Sequence, residues 1–202
     1  MEAPVILLSR LPLIALAGAV VAALAACETP PPRPTFPELT WTHLQPFSLD
    51  VAEIEITSDY LPPLAAPHVE HLFPTPPLRA AERWARDRLR AAGGQGRAVV
   101  VIADARVIET KLAGSGGLTG LFTTEQAERY DAAVEVVIEI RSDRGYLDGR
   151  VRARAERSLT VPEDLTLNER EQVWFELVEA LMADLNAELE ANIQEHLQRF
   201  LM

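Results

Sequence analysis

Three arginines recur at every second position in the second half of the chain, at Arg150, Arg152 and Arg154. Alternate residues of a β-strand share one face and lie about 6.6 Å apart. Because arginine binds carboxylates and phosphates through paired N–H groups, such a row suits an anion that carries several charges. In the alternative interpretation the face is solvated, and the arginines pair with acidic residues and cover apolar surface with their stems. The second arrangement is the more common one, and the first makes this row the best candidate anion site.

A predicted β-hairpin positions this row of arginines. Apolar residues occupy every second position from Ala132 to Ile140, which is typical of a strand with one buried face. The residues that follow, Ser142 to Gly145, predict a turn. On the return strand the inward-facing positions are Leu147, Val151, Ala153 and Ala155.

The register of the hairpin decides which charges face each other. We expect Arg141 to pair with Tyr146 across the turn. That register predicts two facing charge pairs, one attractive and one repulsive, which are Glu135 with Arg152 and Glu139 with Asp148. These two pairs do not account for the row of arginines.

Two histidines in a proline-rich loop are a weaker candidate for chemistry. His68 and His71 are spaced as two metal ligands on one helical turn would be. Pro67 and Pro74 flank them, and proline disfavours a helix interior. Since no third ligand is nearby in the sequence, we predict no metal site.

Residues 113–124 form a glycine-rich segment between two predicted strands. The segment lacks the glycine spacing and the Lys-Ser/Thr pair of phosphate-binding loops. We therefore interpret it as a flexible connection. Its apolar residues Leu118, Leu121 and Phe122 are candidates for contact with a partner protein or a membrane.

The only cysteine, Cys27, ends an apolar N-terminal segment. A basic residue, Arg10, precedes an apolar run from Leu11 to Ala26 that is short for a permanent membrane span. Small residues crowd the end of this run, as cleavage of a signal peptide requires. We predict a secretory signal peptide over residues 1–26; the alternative is an uncleaved membrane helix.

The sequence Leu24-Ala25-Ala26-Cys27 resembles the lipobox of bacterial lipoproteins. The resemblance implies that a diacylglycerol is attached to the sulfur of Cys27, that the chain is cut before it, and that the new amine is acylated. Two or more acyl chains anchor a protein stably, whereas one binds only marginally. The residue that follows is Glu28 and not aspartate, so the resemblance favours the outer membrane over the inner membrane.

Prolines dominate the segment after the cysteine. Five of them lie between Pro30 and Pro37, which favours extended polyproline geometry of about 3.1 Å per residue. We predict a stiff stalk over residues 27–46, with a reach of up to about 60 Å. A single folded domain is then expected over residues 47–202.

The domain is predicted to be an α+β two-layer sandwich. Its expected elements are a strand over 47–56, a helix over 78–92, a strand over 98–112, the hairpin, and a helix over 167–200. Thr166 and Glu169 fit a capping box at the start of the last helix. Its apolar stripe rotates around the helix, so we expect the second half to bend near Asn186 or Asn192 or to meet another surface. The order predicts a mostly antiparallel four-stranded sheet with both helices on one face.

Charge narrows the classes of function. The 202 residues include 19 basic and 30 acidic side chains, for a net charge of −11. A nucleic-acid-binding protein needs a basic face to displace counterions, so we exclude nucleic acid as a partner. The sequence contains no nucleophile elbow and no Cys–His pair, and we predict that the protein is not an enzyme. No cofactor is expected apart from the covalent lipid on Cys27.

The lipobox, the stalk and the order of elements together resemble small envelope lipoproteins. The nearest are the LptE-like lipopolysaccharide-assembly lipoproteins and the auxiliary lipoproteins of ABC-type lipid transport. The resemblance implies a non-catalytic accessory subunit that faces the periplasm and binds an envelope protein, either an outer-membrane barrel or a lipid-transport complex. The alternative is a carrier or chaperone that binds an anionic envelope molecule through the three arginines. The oligomeric state stays open.

Overall fold

The computed structural model describes residues 35–112, 126–162 and 164–202. In these ranges the chain forms nine regular elements, which are β1 (Phe47–Leu49), β2 (Glu53–Ser58), α1 (Pro77–Arg88), β3 (Leu89–Ala91), β4 (Arg97–Asp104), β5 (Val107–Lys111), β6 (Gln126–Arg141), β7 (Leu147–Pro162) and α2 (Leu167–His196). Short 3₁₀ turns occupy Glu70–Leu72 and Gln198–Phe200. Neither described helix combines the length and the apolar character needed to cross a membrane.

Five strands form the main sheet, with the long strand β6 at its centre. β4 and β5 follow each other along one edge of β6, and β7 pairs with the other edge, all antiparallel. β2 lies beside β4 and runs parallel to it. The sheet is therefore mostly antiparallel, and the predicted α+β class is confirmed, although the main sheet has five strands and not four.

Two predicted strands are each divided into two. The strand expected over 98–112 is interrupted at Asp104, whose carboxylate accepts a hydrogen bond from the backbone N–H of Arg106 at 3.2 Å. The strand expected over 47–56 breaks at Val51, which is buried. Its first part, β1, leaves the main sheet and pairs with β3 in a separate parallel sheet.

Both helices share one hydrophobic core with the inner face of the sheet. Trp84 of α1, Leu181 of α2 and Ile138 of β6 are fully buried in it. The Trp84 Nε1 donates a hydrogen bond to the Asn186 Oδ1 at 2.8 Å, which joins the two helices.

The last helix, α2, begins as predicted and ends at His196, a few residues before the predicted end at Phe200. Thr166 Oγ1 accepts from the Glu169 backbone N–H at 3.3 Å, and the Glu169 carboxylate accepts from the Thr166 N–H at 2.9 Å, which confirms the capping box. The helix is continuous to His196, and the rotating stripe is buried to its end, including Ile193. Residues of the sheet and of α1 share one core with this stripe, so α1 is a second surface for α2 and the helix needs no break.

Residues 36–45 pack on the helices, which differs from the stalk expected to extend through Pro46. Phe36 stacks on Phe175 of α2, with ring centroids 5.3 Å apart. Trp41 is buried, and its backbone N–H donates to the Asp87 carboxylate of α1 at 2.9 Å. The aromatic residues between the prolines explain the difference, because burying them outweighs an extended geometry.

Acid is expected to weaken the contact between β6 and α2. Glu128 accepts hydrogen bonds from Tyr130 Oη at 2.6 Å and from Arg170. Burial alone would raise the pKa of Glu128, but these two bonds lower it below its usual value. The stabilisation is therefore present above the unfolded pKa of about 4.3 and is lost as the pH falls through the lower folded value.

We expect the free energy of unfolding of Glu128→Gln to change less between neutral pH and about pH 3 than that of the wild type. Urea unfolding at a series of pH values measures this. The matched control is Glu179→Gln, at an exposed position of α2, which should keep the wild-type pH dependence. Parallel curves for Glu128→Gln and the wild type would contradict the prediction.

Candidate functional site

The face of the main sheet opposite the helices, here called the outer face, carries the arginine row. Three rows of facing residues cross β4, β6 and β7, which are Val99–Glu139–Arg150, Val101–Val137–Arg152 and Asp104–Glu135–Arg154. The side chains of Arg150 and Arg152 are 50% and 60% exposed, so this surface is open to solvent.

The hairpin register differs from the prediction by two residues. Ser142, and not Arg141, is the residue whose N–H bonds to the Tyr146 carbonyl, at 3.0 Å. Asp148 then forms a β-bulge, because Arg141 pairs with Leu147 whereas Ile140 pairs with Gly149. The predicted pair Glu139 with Asp148 is therefore wrong. Glu135 and Arg152 are in contact as predicted, at 3.3 Å, but on a diagonal and not directly opposite each other.

The corrected register places a glutamate directly opposite two of the three arginines. Glu139 faces Arg150, with a side-chain N–O distance of 3.6 Å. Glu135 faces Arg154 at 3.1 Å and also contacts Arg152 at 3.3 Å. Each arginine of the row therefore has a carboxylate partner, which the predicted register supplied only for Arg152.

Arg154 is the most strongly held member of the row. Besides Glu135, it contacts Glu156 at 2.7 Å and Asp104 at 3.3 Å. The hydrogen bond to Glu156 makes the largest contribution to raising the pKa of Arg154 above its usual value. Acids and bases alternate around it, so this part of the outer face is close to neutral and lacks the surplus of positive charge that a polyanion would need.

Valine side chains occupy the centre of the outer face. Val137 is buried, and Val99 and Val101 on the neighbouring strand are half-buried. The charged residues lie around these valines on β6 and β7. An apolar centre inside a polar rim is the usual anatomy of a protein–protein interface.

The other predicted site residues are distributed as follows. Cys27 and the three loop residues Leu118, Leu121 and Phe122 lie outside the described residues. His68 Nδ1 is 3.8 Å from the Glu70 carboxylate, whereas His71 is exposed. Across the described ranges, no three His, Cys, Asp or Glu side chains are grouped as metal ligands.

Sequence reasoning missed a buried carboxylate at Glu70. Its side chain is 2% exposed and accepts hydrogen bonds from Tyr60 Oη at 2.6 Å and from the Val107 N–H at 3.2 Å. Burial, followed by the hydrogen bond to Glu70, raises the pKa of Tyr60 above its usual range. These bonds fasten the proline-rich loop to β5, so Glu70 holds the edge of the sheet in place.

The two ends of the arginine row are expected to differ in their contribution to stability. Arg154→Gln removes contacts to three carboxylates and should lower the free energy of unfolding by about 1–2 kcal/mol. Arg150→Gln removes one exposed pair at 3.6 Å and should cost less than about 0.5 kcal/mol. Chemical denaturation of both variants measures the difference, and equal costs would show that the additional carboxylates contribute nothing.

No protein-family model and no curated protein matches the chain. Among solved structures, one similar chain is the rare lipoprotein B from Shewanella oneidensis, at 11% identity and a TM-score of 0.35 over 69% of this chain and 92% of that chain. Another is the PelC dodecamer from Paraburkholderia phytofirmans, at 12% identity and a TM-score of 0.23 over 70% and 93% of the two chains.

Proposed function

We propose that this chain is a lipoprotein of the cell envelope, anchored through Cys27, that acts as a non-catalytic accessory subunit of an envelope complex. The complex is an outer-membrane barrel or a lipid-transport assembly, and the outer membrane is the favoured location. The anchor rests on the lipobox resemblance of Leu24 to Cys27. The observation that carries the subunit role is the outer face, with valines at its centre and paired charges around them.

The charge pairing favours a protein partner over a small anion. A ligand that bound Arg154 would have to displace three carboxylates already in contact with it. A protein surface can instead cover the valines and leave the pairs at the rim, where they contribute little to affinity and much to selecting the partner.

The carrier role remains as an alternative, and one observation favours it. Arg150 and Arg152 are at least half exposed, and each has an ion pair longer than 3.2 Å. Exposed pairs of this kind are weak, so a phosphate or carboxylate ligand could replace them. A triple variant with Arg150→Gln, Arg152→Gln and Arg154→Gln separates the two roles. It should abolish ligand binding if the protein is a carrier, and it should leave most of the partner association if the protein is an accessory subunit.

In-cell crosslinking of the tagged native protein, with mass spectrometry of the membrane fraction, tests the subunit role. We expect a single abundant barrel or transporter partner. Arg152→Glu, a charge reversal at the rim of the outer face, should reduce its recovery about tenfold or more. The control is Arg144→Glu, the same charge change in the exposed hairpin turn, which should leave recovery unchanged.

Two readouts keep the result interpretable. The unfolding midpoint of each variant separates loss of binding from loss of fold. Recovery of the native protein alone, or crosslinked only to itself, would overturn the subunit role. An anionic molecule that copurifies with the native protein and is lost in the triple glutamine variant would then support the carrier role.

A further inference from the structure

The two helices carry opposite charge. α1 contains four arginines and two acidic residues, whereas α2 contains eight acidic residues and one arginine. Arg88 of α1 is buried, and the other three arginines are spaced four and three residues apart, which places them on one side of the helix. We call Arg79, Arg83 and Arg86 the α1 arginine face. It points away from the sheet, because the opposite side of α1 is buried in the core.

The ion pairs on this face are exposed and replaceable. Arg86 contacts Glu82 at 3.0 Å, and Arg83 contacts Glu38, whose side chain is 76% exposed. Within the described part of the chain, Arg79 has no ion-pair partner. Solvent-exposed pairs of this kind contribute little, so the guanidinium groups can bind phosphate oxygens instead.

The N-terminal segment runs alongside α1 and brings Glu38 to the α1 arginine face. Three successive contacts join the two in the same direction, which are Glu38 with Arg83, Trp41 with Asp87 and Gln45 with Arg88. Before Glu38 the segment reaches α2, where Phe36 stacks on Phe175, so the first described residues lie within a few residues of this face. Eight peptide steps separate Thr35 from Cys27, and they span about 29 Å at most.

We propose that the α1 arginine face rests on the anionic phospholipid of the membrane in which Cys27 is anchored. This inference rests on the lipid anchor of the proposed function. The connection is long enough for the face to reach the lipid surface, and electrostatic attraction then acts within about 10 Å at moderate salt. In this orientation α1 lies towards the membrane, and the outer face of the sheet is turned towards the aqueous side, where a partner can reach it.

The expected size of the effect follows from the number of charges. One arginine near an anionic surface favours contact about fivefold, so three would favour it about a hundredfold. Glu38 and Glu82 share this side of the molecule and offset part of that attraction. One net positive charge then remains, so we expect anionic lipid to favour the oriented state about fivefold over zwitterionic lipid.

Quenching by a lipid-borne quencher tests the orientation on the full lipidated protein in vesicles. Thr75→Cys introduces a thiol for a fluorophore beside α1, where Thr75 lines a groove together with Arg79 and Arg83. Since Cys27 is the only natural cysteine and carries lipid, the new thiol is the only reactive one. Thr57→Cys places the same fluorophore on β2. Thr57 pairs with Val101, so this position lies on the outer face of the sheet.

We expect quenching at position 75 on phosphatidylcholine vesicles that contain phosphatidylglycerol, and several-fold less on phosphatidylcholine alone or at high salt. The label at position 57 should be quenched weakly on both. In the Thr75→Cys background, Arg79→Gln, Arg83→Gln and Arg86→Gln together should abolish the dependence on anionic lipid. The matched set Arg150→Gln, Arg152→Gln and Arg154→Gln should leave it intact.

Two results would overturn the inference for different reasons. Equal quenching at position 75 on both kinds of vesicle, with the lipid present on Cys27, would exclude the α1 arginine face as a lipid contact and leave the anchor standing. Mass spectrometry that finds no lipid on the peptide containing Cys27 would overturn the anchor and this inference together.

Discussion

Replacing Trp84 with alanine is expected to lower the free energy of unfolding by about 3–5 kcal/mol, which is much of the stability of an ordinary domain. Trp84 is fully buried between α1 and α2, so the substitution leaves a large cavity. It also leaves the Asn186 Oδ1 without the indole N–H that it accepts at 2.8 Å. Because α1 also carries the proposed lipid contact, a loosened α1 should affect orientation as well as stability.

Chemical denaturation of three variants separates the cavity from the hydrogen bond. Trp84→Phe keeps most of the buried apolar volume and removes the N–H, so it should cost less than Trp84→Ala. Asn186→Ala removes the acceptor and leaves the indole N–H unpaired, at a cost of about 1–3 kcal/mol. Equal costs for Trp84→Ala and Trp84→Phe would contradict the account of Trp84 as a packing residue.

A methyl group at Gly93 is expected to be the second most damaging change. An added Cβ would lie 2.6 Å from two backbone atoms, the Asp50 carbonyl carbon and the Val51 nitrogen. The backbone between β1 and β2 would have to move, and such overpacking costs about 1–3 kcal/mol or more. The adjoining Gly93 N–H also donates to the Val51 carbonyl at 3.0 Å, so any movement disturbs that bond.

The neighbouring glycine supplies a matched control for this prediction. No atom lies within 4 Å of a Cβ added at Gly94, and its φ is not positive. Gly94→Ala should therefore be neutral or stabilise the fold by up to about 1 kcal/mol, since it restricts the unfolded chain. Thermal and urea unfolding of the two alanine variants measure the contrast. Similar unfolding midpoints for both would show that the backbone at Asp50 yields easily.

Local patterns predicted the elements that depend only on neighbouring residues. Alternation of apolar residues identified β6 and β7, and the spacing of Thr166 and Glu169 identified the start of α2. The predicted helix over 78–92 ends earlier, at Arg88, because Leu89 pairs with Phe47 in the parallel sheet of β1 and β3. That pairing is between distant parts of the chain, and periodicity does not record it.

The register of β6 and β7 depends on a bulge, which the alternation of apolar residues does not show. The alternation of β6 and β7 is compatible with several registers, and the bulge at Asp148 shifts the strands without changing the pattern. A register error alters every facing pair of charges. The row of three arginines and the contact of Arg152 with Glu135 were thus found from the sequence. The partners Glu139 of Arg150 and Glu135 of Arg154 could be assigned only from the structure.

The aromatic residues of the N-terminal segment were missed for a related reason. Prolines around Phe36 and Trp41 favour an extended chain, which is a purely local preference. It does not reveal that Phe175 and Asp87 provide contacts for the same residues. An aromatic residue in a proline-rich tether is the one sequence feature that could have suggested docking.

The docking of residues 36–45 imposes a time order on folding. Phe36 and Trp41 are synthesised before Asp87 and long before Phe175, so they have nothing to pack on when they first emerge. β6, β7 and α2 are consecutive, and they can assemble as soon as they are available. In a lipoprotein, maturation at Cys27 would therefore take place on a chain whose adjoining residues are still unfolded. Docking of the first segment on both helices then becomes the last step of folding.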